Sequence, residues 1–201
     1  MARVIAGESR GRRLAVPAGR DTRPTSDRAR EGLFGTISSI AGTLDGQRVL
    51  DLYAGSGAVG LEALSRGAKH VTLVESAASA LRVIRANITA LGMPGVEVVG
   101  DRVERFLSQK PGEPYHVVFA DPPYATPGEQ IAAVLTALDV HGWLASGALV
   151  VVERATRSGP LAWPEGYVAD RARRYGEATF WYGLAREGNG CRPGAGPLEA
   201  E

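Results

Sequence analysis

From Gln47 onward the chain alternates between short apolar runs and helix-length segments, and this alternation limits the folds open to it. Apolar runs at 48–53, 71–75, 96–99, 116–120 and 148–153 are separated by helical patterns at 58–66, 77–91, 102–110 and 128–138. Strands joined through helices pair in parallel, and a parallel sheet is covered by helices on both faces. Runs such as Val117-Val118-Phe119-Ala120 are apolar at every position, which suits strands buried on both sides. An α/β architecture with a mostly parallel sheet is therefore expected, with ligands bound outside the carboxyl ends of the strands. After Glu153 the alternation stops. Residues 167–175 and 178–184 read as two strands joined by Gly176-Glu177, an antiparallel hairpin at one edge. Ahead of Gln47, residues 3–6 and 12–16 read as a small hairpin with a basic loop. Residues 17–24 follow as a loop, and then comes a helix capped by Thr25 or Ser26 that runs to about Ile40. The expected division is 1–24 for the basic hairpin and loop, 25–185 for the main domain and 186–201 for a disordered tail.

The strand ends carry acids. Gln47-Arg48-Val49-Leu50-Asp51-Leu52-Tyr53 runs into Ala54-Gly55-Ser56-Gly57-Ala58-Val59-Gly60 and then into a helix. Such a turn lets a ligand approach the backbone, because glycine has no Cβ. Gly55, Gly57 and Gly60 have the spacing of a dinucleotide fingerprint. Asp51, however, would repel a pyrophosphate there and would attract the ammonium of an amino acid. The next run ends at Glu75, which can accept from both hydroxyls of a ribose. The run at 96–99 ends at Gly100-Asp101, where a carboxylate can receive an adenine amine. Three acids matched to ammonium, ribose and adenine point to S-adenosylmethionine, with Tyr53, Ala54, Gly55, Ser56 and Gly57 forming the turn around it. The plain alternative for each acid is a cap on the following helix, strongest for Asp101 because 102–107 reads as helix.

Asp121-Pro122-Pro123-Tyr124 closes the run 115–120. A carboxylate, a kinked backbone and an aromatic ring at a strand end suit methylation of an exocyclic amine on a flat heterocycle. The lone pair of such an amine is delocalised into the ring. Acceptors from Asp121 and the Pro122 carbonyl would draw on its hydrogens and make it more nucleophilic, while Tyr124 stacks on the base. The plain alternative is an Asp-Pro turn.

The 201 residues allow one sizeable core. Net charge is only +1, but residues 1–30 hold eight arginines against Glu8, Asp21 and Asp27, a local +5. Clustered guanidinium groups bind phosphates in bidentate fashion, so Arg10, Arg12 and Arg13, with Arg23 and Arg28 behind them, are candidate RNA contacts. Arg23 and Arg28 can alternatively pair with Asp21, Asp27 or Glu31. A single cysteine, Cys191, and three scattered histidines suggest neither a disulfide framework nor a metal site. No apolar leader or membrane span is legible, so a cytoplasmic, soluble protein is expected; the sequence does not fix the oligomeric state, with a monomer favoured.

Three stretches carry a family resemblance: Arg3-Val4-Ile5-Ala6-Gly7, Arg10-Gly11-Arg12-Arg13-Leu14, and Thr22-Arg23-Pro24-Thr25-Ser26-Asp27-Arg28-Ala29-Arg30-Glu31-Gly32-Leu33-Phe34. Together with Asp51-Leu52-Tyr53-Ala54-Gly55-Ser56-Gly57, the segment 61–68 and Asp121-Pro122-Pro123-Tyr124, they resemble the bacterial 16S rRNA (guanine(966)-N2)-methyltransferases over about residues 3–184. The resemblance implies a Rossmann-like class I methyltransferase fold with a seven-stranded sheet and S-adenosylmethionine as donor. It implies 16S rRNA within an assembled or assembling 30S subunit as substrate. It also implies a guanine pocket at 121–124 and a cofactor ring of Asp51, Gly55, Gly57, Glu75 and Asp101. Tyr53 stands where the family often has phenylalanine.

Other functions use parts of this pattern. DNA methyltransferases acting on adenine N6 or cytosine N4 share the Pro-Pro-aromatic motif, but most carry a target-recognition domain, and no insertion here is long enough for one. A non-catalytic Rossmann-like RNA-binding module has no need of Asp51, Glu75, Asp121 and Tyr124 together. An NAD-linked oxidoreductase would need a hydride-transfer constellation that is not legible.

Overall fold

The structure, a computed structural model, describes residues 2–17 and 26–186. Its centre is a seven-stranded sheet built from β3 (Arg48–Leu52), β4 (His70–Val74), β5 (Val96–Val99), β6 (Tyr115–Ala120), β7 (Leu144–Ala155), β8 (Tyr167–Tyr175) and β9 (Ala178–Ala185). The strand order is β5-β4-β3-β6-β7-β9-β8. The first five strands are parallel, and β9 runs antiparallel between β7 and β8. Strand order reverses between β3 and β6, the switch point where open α/β sheets form a crevice.

Helices α1 (Asp27–Ala41), α2 (Ala58–Ser65) and α3 (Ala78–Leu91) cover one face, where Leu33, Phe34, Leu61 and Ile84 pack on Val49, Phe119 and Val151. Helices α4 (Val103–Leu107) and α5 (Gly128–Val140) cover the other, where Phe106, Leu135 and Leu138 pack on Leu50, Val118 and Val150. Alternate residues of each strand serve opposite cores, as a period of two requires.

Several elements differ in length from the sequence reading. β7 begins four residues early, through Leu144-Ala145-Ser146-Gly147, a stretch with no apolar alternation to announce it and a left-handed glycine, Gly147 at φ 68°, inside it. α4 ends at Leu107 rather than Lys110; the Ser108 hydroxyl donates to the Arg105 carbonyl and competes with helix continuation. Ser26, the second of the two expected caps, accepts from the Ala29 N–H at 3.2 Å.

The N-terminal hairpin is shorter than expected and is tied down differently. Only β1 (Ala2–Arg3) and β2 (Arg13–Leu14) pair with each other. The backbone between them bonds to α2. Glu62, fully buried, accepts from the Ile5 N–H at 2.7 Å and the Ala6 N–H at 3.0 Å, and its Oε1 also meets Arg66 Nε at 2.7 Å. Ser65 accepts from the Ser9 N–H and donates to the Ala6 carbonyl. Gly7, at φ 83°, lies so close that a Cβ would sit 1.6 Å from the Ser65 carbonyl oxygen, so only glycine fits. α2 is consequently buried from Val59 to Ser65, between sheet and hairpin, as its all-round apolar sequence requires.

Replacing Glu62 with Ala should leave two partly buried N–H donors and Arg66 without their acceptor. A loss of about 2–4 kcal/mol is expected in urea denaturation. Hydrogen exchange should accelerate at the amides of Ile5 and Ala6; unchanged protection there would mean that the hairpin is held by something else.

Candidate active site

The site starts where β3 leaves the sheet. Tyr53 has φ 61°, the one positive φ outside glycine among the described residues, so the chain turns sharply under local strain. Ala54 N–H donates to the Val74 carbonyl at 3.0 Å and Gly57 N–H to the Ala54 carbonyl at 2.7 Å, which fastens the turn to β4. Gly57, left-handed, opens α2. Gly60 permits the close approach of that helix to the sheet: a Cβ would lie 2.3 Å from Leu73 Cδ2 and 3.2 Å from Asp51 Oδ2.

Asp51 lies beneath this turn, 1% exposed, and accepts from the Gly60 N–H at 2.8 Å. Burial pushes its carboxyl up to about 7, against the lowering effect of that bond, and the charge on Glu75 adds to the rise. Glu75 follows β4. One of its oxygens accepts from the Gly55 N–H at 2.9 Å and the other from the N–H groups of Ser76 and Ala77 at 2.8 and 2.7 Å. It is thus both the brace of the glycine turn and the cap of the segment entering α3, and the oxygen bonded to Gly55 retains a second lone pair. Asp101 accepts from the Arg102 N–H and meets Arg105 at 3.4 Å. The sequence alternative of capping acids is present in the geometry of both, alongside their position in a groove.

That groove, of about 190 Å³, has Glu75 and Asp101 on its rim and Tyr53, Val74, Val103 and Pro123 among its walls. The lining mixes apolar side chains with three carboxylates, of which Glu104 is taken up by Gln130 while Glu75 and Asp101 remain to meet the hydroxyls and amine of a nucleoside. A Cβ at Gly55 would meet nothing closer than 4.0 Å, so the turn presents open backbone to a ligand. The residues present therefore fit S-adenosylmethionine. Burial pushes the Tyr53 hydroxyl up to about 12, so it stays a donor at all ordinary pH.

Asp121 follows β6, its N–H donating to the Leu52 carbonyl at 3.3 Å. Burial holds its carboxyl well above the ordinary range, and the neighbouring charges of Glu153 and Asp51 push the same way. Pro122 is buried and Pro123 faces the nucleoside groove, while Tyr124, 44% exposed, faces a second cleft of about 450 Å³. That cleft lies between the start of α1 (Ser26, Arg28) and the β8–β9 turn (Arg174, Tyr175), with Glu153 of β7 in its lining. The motif at 121–124 forms the partition between groove and cleft.

The basic residues separate. Arg28 lines the cleft, whereas Asp27 pairs with Arg3 and the buried Arg30. Arg10, Arg12 and Arg13 are exposed on the hairpin, and Arg12 donates to the Ala90 carbonyl on α3. Arg23, Thr25 and the segment with Cys191 lie outside the described residues. Sequence reading passed over Glu62, Glu153 and Arg174. Glu153 had a usable signal, since an acid ends the apolar run Leu149-Val150-Val151-Val152 just as Asp51 and Asp121 end theirs.

A raised Asp51 has a consequence for stability. The native state holds this proton more tightly than the unfolded chain, so the contribution is fully present below about pH 4 and is lost as pH rises to about 7. Asp121 acts with the same sign. Without ligand, the protein should be more stable at pH 5 than at pH 8 by an amount on the order of a few kcal/mol. Asp51→Asn, which keeps an acceptor for Gly60, should flatten that dependence in urea titrations. Identical pH slopes for the two proteins would rule the assignment out.

Comparison with known proteins agrees with this geometry. The family model Conserved hypothetical protein 95 matches residues 2–183. Ribosomal RNA small subunit methyltransferase D of Escherichia coli (strain K12) is 37% identical over 178 residues, covering 89% of this chain and 87% of that protein. The protein of the same name from Haemophilus influenzae is 34% identical over 182 residues, covering 89% and 91%. The solved structure of yhhF from Escherichia coli superposes with a TM-score of 0.82 at 35% identity, over 93% of this chain and 99% of that one. The fold is that of class I methyltransferases. The chain belongs to the Conserved hypothetical protein 95 family and stands with the ribosomal RNA small subunit methyltransferase D proteins as a methyltransferase.

Proposed function

We propose that the protein transfers a methyl group from S-adenosylmethionine to the exocyclic N2 amine of one guanine, guanine(966) in the family's terms, in 16S rRNA. The observation that carries this reading is the partition at 121–124, with the groove of Glu75 and Asp101 on the Pro123 side and a larger cleft, roomy enough for a flipped nucleotide, on the Tyr124 side. The names of the relatives support a ribosomal RNA substrate.

S-adenosylmethionine supplies an electrophilic methyl group on a sulfonium. The residues of the chain hold the acceptor. Tyr124 stacks on the flipped base, while Asp121 and the Pro122 carbonyl accept from the N2 hydrogens. Bound there, the donor would give its methyl group to the nitrogen and keep the electrons of the broken C–S bond on sulfur. The nitrogen, now cationic, releases a proton to Asp121, whose raised affinity for protons suits it to the task. Asp51 meets the ammonium of the donor, and Glu75 and Asp101 meet its ribose and adenine. Alignment of sulfur, carbon and nitrogen supplies much of the remaining rate.

Extruding a base from folded RNA costs on the order of a few kcal/mol, and stacking on Tyr124 returns roughly 1–3 kcal/mol. Phosphate contacts from Arg10, Arg13 and Arg28 supply the balance, with Arg12 shared between RNA and α3. The working state is a cytoplasmic monomer acting on an assembled or assembling 30S subunit.

The decisive assay offers tritiated donor to 30S particles, naked 16S rRNA and duplex DNA, then maps the methylated nucleotide. Label on N2 of one 16S guanine is expected. Label on DNA amines would replace the reading. Asp121→Asn should abolish most turnover, and Tyr124→Ala should lower kcat/KM by a factor corresponding to about 1–3 kcal/mol. Substituting Arg10 and Arg13 together with Ala should weaken RNA binding and reduce the slope of log K against log salt by about 1–2. Donor affinity should hold; equal losses in both would count against this division of labour.

A further inference from the structure

Glu153 is 4% exposed and lines the same cleft as Tyr124, yet the transfer step described above does not use it. Its place follows from register. The last paired residues of β6 and β7 are Ala120 and Val152, so Asp121 and Glu153 come next on neighbouring parallel strands, with Phe180 of β9 opposite Glu153 on the other side. Asp121 and Glu153 thus stand side by side at the carboxyl ends of β6 and β7, with Glu153 in the lining of the cleft and Asp121 beside it, close enough for the charge of Glu153 to hold up the proton affinity of Asp121. The other charged lining residues, Arg28, Arg174 and Glu177, are exposed at the mouth.

A pair of adjacent carboxyl acceptors favours a ligand edge with adjacent donors, because a carboxylate oxygen set against a lone pair gains no hydrogen bond there and is repelled. Enzymes that flip a base read its Watson–Crick edge. Among the four bases only guanine places a ring N–H next to an amine. Adenine and cytosine place a ring lone pair beside theirs, and uracil sets its N–H between two carbonyls.

We infer that Glu153 is the residue that selects guanine, accepting from ring N1–H while Asp121 accepts from the neighbouring N2 amine. This rests on the reaction proposed above and adds its base-selecting contact.

The test uses 2,6-diaminopurine, which keeps the 2-amine and turns ring N1 from donor into acceptor. Once the methylated nucleotide is mapped, splint-ligated 16S rRNA carrying guanine or diaminopurine at that position is assayed naked and in reconstituted 30S particles. Wild-type protein should favour guanine by at least about tenfold in kcat/KM. Glu153→Gln, whose amide can donate to bare N1, should bring the ratio near one or invert it. Glu153→Asp should be slower but keep the guanine preference. Calorimetry with S-adenosylhomocysteine establishes that each variant is folded with its donor groove intact. A folded Glu153→Gln with the wild-type preference overturns the inference and leaves the methyltransferase reading standing. So do equal wild-type rates on the two bases, a result that needs no variant. Failure of the wild-type protein to methylate guanine-bearing RNA overturns the proposed reaction itself.

Discussion

Parallel pairing of β3, β6 and β7 forces Asp51, Asp121 and Glu153 together at one edge of a rigid sheet. Side chains on flexible loops could relieve such crowding by moving apart; these cannot. Loss of water raises the proton affinities of Asp51 and Asp121, and the charges of Glu75 on the first and of Glu153 and Asp51 on the second push the same way. A crevice built this way favours partners that arrive with N–H donors or positive charge. The amino-acid end of the donor and an amine-bearing base both meet that condition. The surrounding features serve the same edge: the strained turn at Tyr53, the glycine at position 60 and the brace from Glu75 hold the β3 end of the row in place.

The motif after β6 works as a wall as much as a set of functional groups. Consecutive residues Pro123 and Tyr124 face different cavities. Two prolines restrict the backbone there, so the wall keeps its shape without help from long side chains. A thin, stiff divider of this kind keeps two ligands close while holding them in separate chambers.

Much of this was legible beforehand, and the reasons are specific. The five parallel strands announced themselves because strands buried on both faces are apolar at every position, and the glycine turn because Gly55, Gly57 and Gly60 punctuate it. The final hairpin was legible from Gly176-Glu177, which joins β8 to β9. What the sequence hid was polar and long-range. Glu62 carried no local signal of burial, because its partners, the N–H groups of Ile5 and Ala6, lie 57 and 56 residues away. Glu153 looked like the end of a pattern, because only the register of β7 against β6 sets it beside Asp121. Arg12 looked wholly available for phosphate until the hairpin was laid against α3. Local periodicity reports which face is buried; it carries nothing about which distant backbone will need an acceptor.

The hairpin with its exposed arginines is bolted through Gly7 and Glu62 to α2, and α2 is the helix that begins at Gly57. One short rod thus joins the basic surface to the cofactor turn with no hinge between them. The same eight-residue helix therefore fixes the placing of the basic tip at one end and the geometry of the turn at the other.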